Sequence, residues 1–430
     1  MTNTAEMLQT LSARNTTGMM WYDRPWRFMV VKILMVNKFL YPNGGSETYI
    51  FKLGEELQRQ GHEVQYFGME HEGRIVGNHA EVYTSNMDFH TGKLQKLLYP
   101  FRIIYSKEAY RKMQTVLNDF EPDVVHLNNI NFQLTPSVIE AVRDWEKKNQ
   151  KTVRIIFTAH DYQWVCPNHM MLVPASGERC SRCLSQHEGN CTRYRCIHNS
   201  FVKSLLGTIE AKFYDWKKTY AKVDVVICPS EFMEQQLATS PLLKSKLVTL
   251  HNFIDAQTPE PVEKKDYVLY FGRYTREKGV QTLLQAAKAL PEIPFVFAGD
   301  GECKEQVEQC ANVRNMGFLQ GKILSEVIKE ARFCVIPSEW YENCPFSVME
   351  AISFGTPVLG SELGGIPELV QDGETGELFE AGNVEALTEK IRSLWTDRRR
   401  CQQYAENCRK TCFDSVEEYT HKLLKWYQAV

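Results

Sequence analysis

Short β-branched runs alternating with helix-period stretches predict an α/β fold of two Rossmann-like, doubly wound domains facing a cleft. The alternation runs through both halves of the chain and restarts after "HNFIDAQTPEPVEKKD", an irregular stretch rich in proline and charge. At 430 residues the chain is long for one hydrophobic core and natural for two.

The first domain is expected over 29–250. Met29 opens "MVVKILMVNKFLYP", whose apolar run reads as a first strand, and a helix follows from about Glu47. Further strands are read in "EVQYFGM", "DVVHLNN", "TVRIIFTAHD" and "VDVVICPS". A linker is placed at 251–266 and the second domain at 267–412, with strands in "YVLYFGR", "FVFAGDG", "NVRNMGF", "RFCVIPS" and "PVLGS". Residues 413–430 are read as a helix that crosses back to the first domain. Residues 1–28 lack the regions of a signal peptide and are read as an extension outside the fold. In such folds ligands bind at the C-terminal ends of the strands, here facing the cleft.

Composition narrows the function classes. A chain 43% apolar and 24% charged is globular, and its formal net charge of -3 gives no reason to expect nucleic acid as a partner. No apolar run reaches the about 18 residues of a membrane-spanning helix. The expected location is the cytoplasm, with the inner face of the membrane as the alternative. Thirteen cysteines there read as thiols or metal ligands, not as a disulfide framework.

Four motifs carry chemistry. "FGRYTREKG" lies between a strand and a helix and sets Arg273 and Lys278 near a helix N-terminus, where two cations suit a diphosphate. A solvated basic loop is the plainer reading of that segment taken alone. "RFCVIPSEWYENCPFSVME" runs from a strand through a loop into a helix beginning near Pro345. Glu342 then lies in the loop, and the amides of Cys344, Phe346 and Ser347 face whatever binds there, with Pro345 between them. Glu350 lies one turn into the helix, where Ser347-x-x-Glu350 also has the form of a capping box. The pair Gly364 and Gly365 opens a short helix toward the same cleft. In the first domain "NGGSET" places Gly44 and Gly45 against a helix N-terminus, as close backbone approach to a phosphate or sugar requires.

Taken together, "GRYTREKG", the glutamates Glu342 and Glu350, and "EAISFGTPVLGSELGGIPELV" resemble the retaining, nucleotide-sugar-dependent glycosyltransferases of GT-B architecture, family 4 group. The resemblance covers about residues 30–430 and is most specific over 267–383. It implies a GT-B fold and transfer of a sugar from a nucleoside diphosphate sugar, UDP favoured over GDP, to a saccharide or lipid-linked acceptor in polysaccharide or glycolipid assembly. It implies that Glu342 lies by the donor sugar, that Glu350 binds the ribose hydroxyls, and that Arg273 and Lys278 bind the diphosphate. Gly44 and Gly45 fall at the active centre. "TAHDYQW" ends a strand with His160 and Asp161, where the family carries a histidine near the transferred sugar; His126 in "VVHLNN" is the competing choice and His160 is preferred. No D-x-D motif is seen near the donor site, so catalysis is expected to need no metal. A GT-B epimerase or phosphorylase and a non-catalytic sugar-nucleotide-binding subunit are the alternative readings.

Two features fall outside that resemblance. Within 166–198, Cys166, Cys180, Cys183, Cys191 and Cys196 crowd together, and the C-x2-C pair with neighbours suits a structural zinc held by four of the five. Reduced, unmetallated thiols are the other reading. "KLQKLLYPFRIIYSKEAYRKM" and "FVKSLLGTIEAKFYDWKKTYAK" are basic and amphipathic, fitting either contact with a membrane surface or ordinary surface helices.

Overall fold

The computed structural model describes residues 30–85, 99–185, 187–255 and 261–428. The extension read at 1–28 and the first six residues of the first basic segment, 93–98, lie outside the described residues. Strands β1 (Lys32–Val36), β2 (Glu63–Phe67), β3 (Val124–Leu127), β4 (Arg154–Thr158), β7 (Val225–Cys228) and β8 (Leu247–Thr249) form one sheet in the order β2-β1-β3-β4-β7-β8. Between β4 and β7 a short antiparallel hairpin, β5 (Leu172–Val173) and β6 (Glu178–Arg179), stands apart from it. The second sheet orders β9 (Val268–Phe271), β10 (Phe295–Ala298), β11 (Val313–Asn315), β12 (Phe333–Ile336), β13 (Val358–Ser361) and β14 (Gly376–Phe379) as β11-β10-β9-β12-β13-β14. All pairings within the two large sheets are parallel.

Both faces of each sheet are covered by helices, which is why the strands read as unbroken apolar runs. In β1, Leu34 and Val36 enter one core while Ile33 and Met35 enter another on the opposite face. The same division recurs in β12, with Phe333 and Val335 on one side and Cys334 and Ile336 on the other. The strand order reverses between β1 and β3 in the first sheet and between β9 and β12 in the second. The loops leaving these four strands therefore splay apart and open a crevice, the topological switch point of a doubly wound sheet.

The last helix, Val416–Gln428, packs on the first domain, where Tyr419, Leu423 and Tyr427 join the core beside β1. Tyr419 and Tyr49 hydroxyls are 2.8 Å apart, and Ile254 N–H donates to the carbonyl of Asp414 at 2.9 Å, so the two crossings between domains run together. Phe253 is buried in this same core, so the start of the segment read as linker is part of the packed structure.

His126 is fixed by that helix. It is fully buried, its Nδ1 lies 2.6 Å from the Tyr427 hydroxyl and its Nε2 lies 2.7 Å from Thr158 Oγ1. Burial, aided by His160, pushes it down to about 3. A histidine neutral in the fold but free to charge when unfolded, near its ordinary value of about 6.5, costs no stability above that pH and weakens the fold as pH falls below it. His126→Ala should lose about 2–4 kcal/mol in urea unfolding, since it leaves a cavity and strands two hydroxyls. It should also flatten the loss of stability between about pH 6.5 and 4; a variant with unchanged midpoint and slope would contradict this account.

Candidate active site

The crevice holds a cavity of about 550 Å³ lined from both domains. The first domain contributes Gly45, Ser46, Asn129, His160, Asp161, Tyr162 and His169. From the second come Arg273, Lys278, Phe318 and the loop and helix that include Trp340, Tyr341, Glu342, Asn343, Cys344, Pro345, Phe346, Ser347 and Glu350. Gly44 is the residue before the helix Gly45–Arg59 and does not line the cavity, whereas Gly45 lies against the Phe346 ring, which a Cβ would approach to 3.3 Å.

Glu342 is buried at the cavity wall. Its Oε1 accepts hydrogen bonds from Lys278 Nζ at 2.6 Å and from Ser338 Oγ at 2.7 Å. Burial pushes its carboxyl up, but Lys278 and Ser338 more than offset this and hold it below the ordinary glutamate value. Lys278 also stands over the Trp340 ring, 5.3 Å from its centroid. The lysine read as a diphosphate ligand is thus also engaged with Glu342. Arg273 is exposed and makes no salt bridge among the described residues, so it is the uncommitted cation of the motif.

The glycine pair explains why this loop is held so closely. Gly364 has φ +61°, and a Cβ there would lie 2.4 Å from the carbonyl oxygen of Glu342; at Gly365 it would lie 1.7 Å from that of Asn343. Gly365 N–H donates to the Glu342 carbonyl at 2.8 Å. Only residues without a side chain let the two backbones pack this tightly.

The capping box read at Ser347 and Glu350 is not formed. The helix is Phe346–Ser353, Pro345 is its capping residue, and no side chain caps it, so Ser347 already lies inside the first turn. Freed from capping, Glu350 faces the cavity, and burial, partly countered by Lys52, raises it to about 7. The first-turn amides of Phe346 and Ser347 have no carbonyl within the helix to bond.

Across the cleft, His160 Nε2 lies 2.9 Å from Asn128 Oδ1, and burial, partly countered by Asp161, lowers the imidazole to about 4. It is therefore neutral at pH 7, and with Asn128 Oδ1 accepting, Nδ1 is left as an acceptor. Its own carbonyl accepts from Asn343 Nδ2 at 2.6 Å, which ties the histidine's strand end to the Glu342 loop. His126 lies outside this cavity, saturated in the core. Next to His160, Asp161 accepts from Asn131 at 3.2 Å and lies 3.3 Å from His169 Nδ1. Burial raises the Asp161 carboxyl, but His169, the Gln163 amide and Lys38 bring it below its usual value.

Sequence reading missed Asn252, Phe318, Trp340 and Asn343. Asn252 Oδ1 and Asn343 Oδ1 are buried without hydrogen-bond partners among the described residues, and both belong to cavity-lining residues. Two acceptors so placed suit a polyhydroxylated ligand. The aromatic and amide residues of "SEWYENC", adjacent to Glu342, were the available signal.

The cysteine insertion adjoins the first-domain side of the cavity through His169. Cys166, Cys180, Cys183, Cys191 and Cys196 all line one small void of about 10 Å³, and all are free thiols. Among the described residues no three Cys, His, Asp or Glu side chains are arranged to hold a metal ion. The hairpin of the insertion reaches the second domain, where Arg276 Nη2 donates to the Ser176 carbonyl at 3.0 Å.

The Lys278–Glu342 pair generates a stability test. Lys278→Met should cost about 3 kcal/mol, because it leaves a buried carboxylate without its cation. Adding Glu342→Gln should restore most of that loss in a double-mutant cycle. Equal loss in the single and double variants would show that the pair is not coupled.

Comparison with known proteins places the chain. The model described as Glycosyltransferase Family 4 matches residues 43–258, half of the chain, and the model described as Glycosyl transferases group 1 matches 253–411. An uncharacterized 42.6 kDa protein in the cps region of Klebsiella pneumoniae is 26% identical over 360 residues, spanning 79% of this chain and 87% of that one. The sulfoquinovosyl transferase SQD2 of Arabidopsis thaliana is 38% identical over 141 residues, 31% of this chain and 28% of its own length. Among solved structures, sucrose-phosphate synthase from Thermosynechococcus elongatus superposes with a TM-score of 0.65 at 17% identity, covering 92% of this chain and 98% of that chain. HepE of Anabaena in complex with UDP gives 0.64 at 15% identity, covering 93% and 100%. With these family matches over both domains and two parallel sheets around one crevice, the chain belongs to the GT-B glycosyltransferases of family 4.

Proposed function

We propose that the protein is a retaining glycosyltransferase that carries a sugar from UDP to a saccharide or lipid-linked acceptor in polysaccharide or glycolipid assembly, with no metal in the chemical step. The observation that carries this reading is the composition of one cavity wall: a charged Glu342 held by Lys278, a half-neutral Glu350 one turn into the next helix, and a neutral His160 from the opposite domain. The UDP preference is supported by the structural neighbour solved with UDP.

In this reading the nucleotide lies against the second domain. Glu350 accepts from the ribose hydroxyls, and Phe318, exposed at the cavity, offers a flat surface for the base. Arg273, Lys278 and the first-turn amides of Phe346 and Ser347 stabilise charge on the departing diphosphate. Since Glu342 shares Lys278, Arg273 brings the uncompensated positive charge. His160 Nδ1 accepts from a hydroxyl of the transferred sugar, and Asn252, Trp340 and Asn343 supply further polar contacts. The acceptor enters from the first domain, beside Asp161 and His169, and attacks the face that the diphosphate leaves while a phosphate oxygen takes its proton.

The insertion is proposed as a structural zinc loop, on the ground that five thiols from separate segments face one void. As they stand the side chains form no ligand set, so a metal would have to draw them in. Elemental analysis of protein purified without added metal should find one zinc per chain; no zinc, with every thiol titratable, would overturn the loop's metal role.

Activity is tested with a panel of nucleotide sugars and a defined acceptor, reading the anomeric configuration of the product. Retention is expected, with rates unchanged by EDTA. His160→Ala should lose about a hundredfold in turnover, and Glu342→Gln should also act mainly on turnover. Glu350→Gln should weaken UDP binding and remove part of its pH dependence. Affinity in the wild type should fall as pH drops below about 7, where Glu350 takes up the proton that prevents it from accepting both ribose hydroxyls. An inverted product, a free sugar epimer or a sugar phosphate would refute the reading.

A further inference from the structure

The helix Phe201–Trp216 is packed inside out. Toward the protein it buries Ser204, Gly207, Thr208, Glu210 and Tyr214. Outward it presents Phe201, Val202, Leu205, Ile209 and Trp216, which are 53%, 64%, 38%, 43% and 78% exposed. These are five of the ten large apolar residues exposed among the described residues, gathered on one helix. At about 100° per residue all five fall within one arc roughly 100° wide, and the buried residues occupy the opposite side.

The inner face is anchored by hydrogen bonds and close packing. Thr208 Oγ1 donates to the Glu188 carbonyl at 3.0 Å, Ser204 Oγ accepts from Ile197 N–H at 2.9 Å, and a Cβ at Gly207 would come within 2.5 Å of Ile197. These contacts seat the helix on the cysteine insertion, so its apolar face cannot turn inward without breaking them. An exposed apolar stripe of this kind marks a contact with something outside the chain.

Charge says what that contact is. Lys212 is exposed within the stripe and Lys218 is exposed just past its C-terminal end, while Lys203 is exposed on the other side of the first turn. The acids of the helix are Glu210, buried and raised to about 8 by burial, and Asp215, half-buried. A face of Phe, Leu, Ile and Trp edged by lysines, with no fully exposed acid on its helix, matches the boundary between lipid headgroups and acyl chains. No helix among the described residues is long and apolar enough to cross a membrane. We propose that the helix Phe201–Trp216 docks the protein on an anionic lipid surface, with Trp216 and Ile209 in the interface and the lysines among the headgroups. The seat of the helix, the insertion that contributes His169 to the cavity, sets this surface on the first domain.

The test uses the full chain and vesicles of phosphatidylcholine with and without phosphatidylglycerol. Binding to the anionic vesicles is expected, with a blue shift of tryptophan fluorescence that Trp216→Phe removes. Replacing Lys212 and Lys218 by Gln should lower affinity on the order of thirtyfold, and Leu205→Ser with Ile209→Ser should abolish binding while leaving the thermal transition and UDP binding in place. Failure to bind anionic vesicles would overturn the proposal, as would binding that survives the Leu205 and Ile209 changes. Concentration-dependent self-association abolished by the same two changes would reassign the face to a second copy of the chain.

Discussion

The ion pair between Lys278 and Glu342 is the constraint around which the second domain's half of the cavity is built. It joins the loop after β9 to the loop after β12, two strands that are neighbours at the switch point of the sheet. A buried carboxylate is costly without a partner, so the loop carrying Glu342 must follow wherever Lys278 is held. Ser338 closes the second contact on Oε1, and Gly364 and Gly365 press against the same loop from behind, with Gly365 bonding the Glu342 carbonyl. The loop is thereby fixed at its side chain and its backbone together, and Asn343 and Cys344 follow it into place.

From that loop the constraint passes to the other domain. Asn343 bonds the carbonyl of His160, Asn252 bonds that of Cys344 at 3.1 Å, and Phe346 lies against Gly45. Glu368 accepts from the amides of Glu231 and Phe232, both at 2.8 Å, and from His251 at 2.9 Å. The contacts across the cleft combine hydrogen bonds to backbone groups with the aromatic packing of Tyr341 on Phe232 and of Phe346 on the first domain's core. These contacts hold the present arrangement of the domains at a cleft that encloses and releases a substrate. The stiffer tie is the C-terminal helix, whose tyrosines reach Tyr49 and His126 in the first domain's core.

The insertion between β4 and β7 is organised differently. Its thiols pack on one another, its hairpin touches Arg276 in the diphosphate motif, and its outer support is a helix with a polar inner face. A segment that buries serine, threonine and a neutral glutamate while showing tryptophan and isoleucine to the outside gains little from the usual hydrophobic collapse. Its hydrogen bonds, and what its outer face meets, give that arrangement its sense.

The sequence by itself determined the layout of strands and helices and the position of the cavity. Period and β-branched composition are local properties, and a doubly wound parallel sheet leaves one place for ligands. It also supplied Arg273, Lys278, Glu342 and Glu350, because these stand in two short motifs, each between a strand and a helix, whose spacing is legible. Only the tertiary structure decided which histidine faces the cavity. His126 and His160 both end buried strands, and what separates them is Tyr427, about 300 positions away in sequence, folded back onto one of them. Likewise the capping box at Ser347 matched in sequence but failed in space, because capping depends on where the first turn starts, and here Pro345 takes that place. The pairing of Lys278 with Glu342, the unpartnered amide oxygens of Asn252 and Asn343, and the outward apolar face of Phe201–Trp216 were out of reach for the same reason. Each depends on which surface meets which, and burial is a property of the packed whole that no local pattern carries.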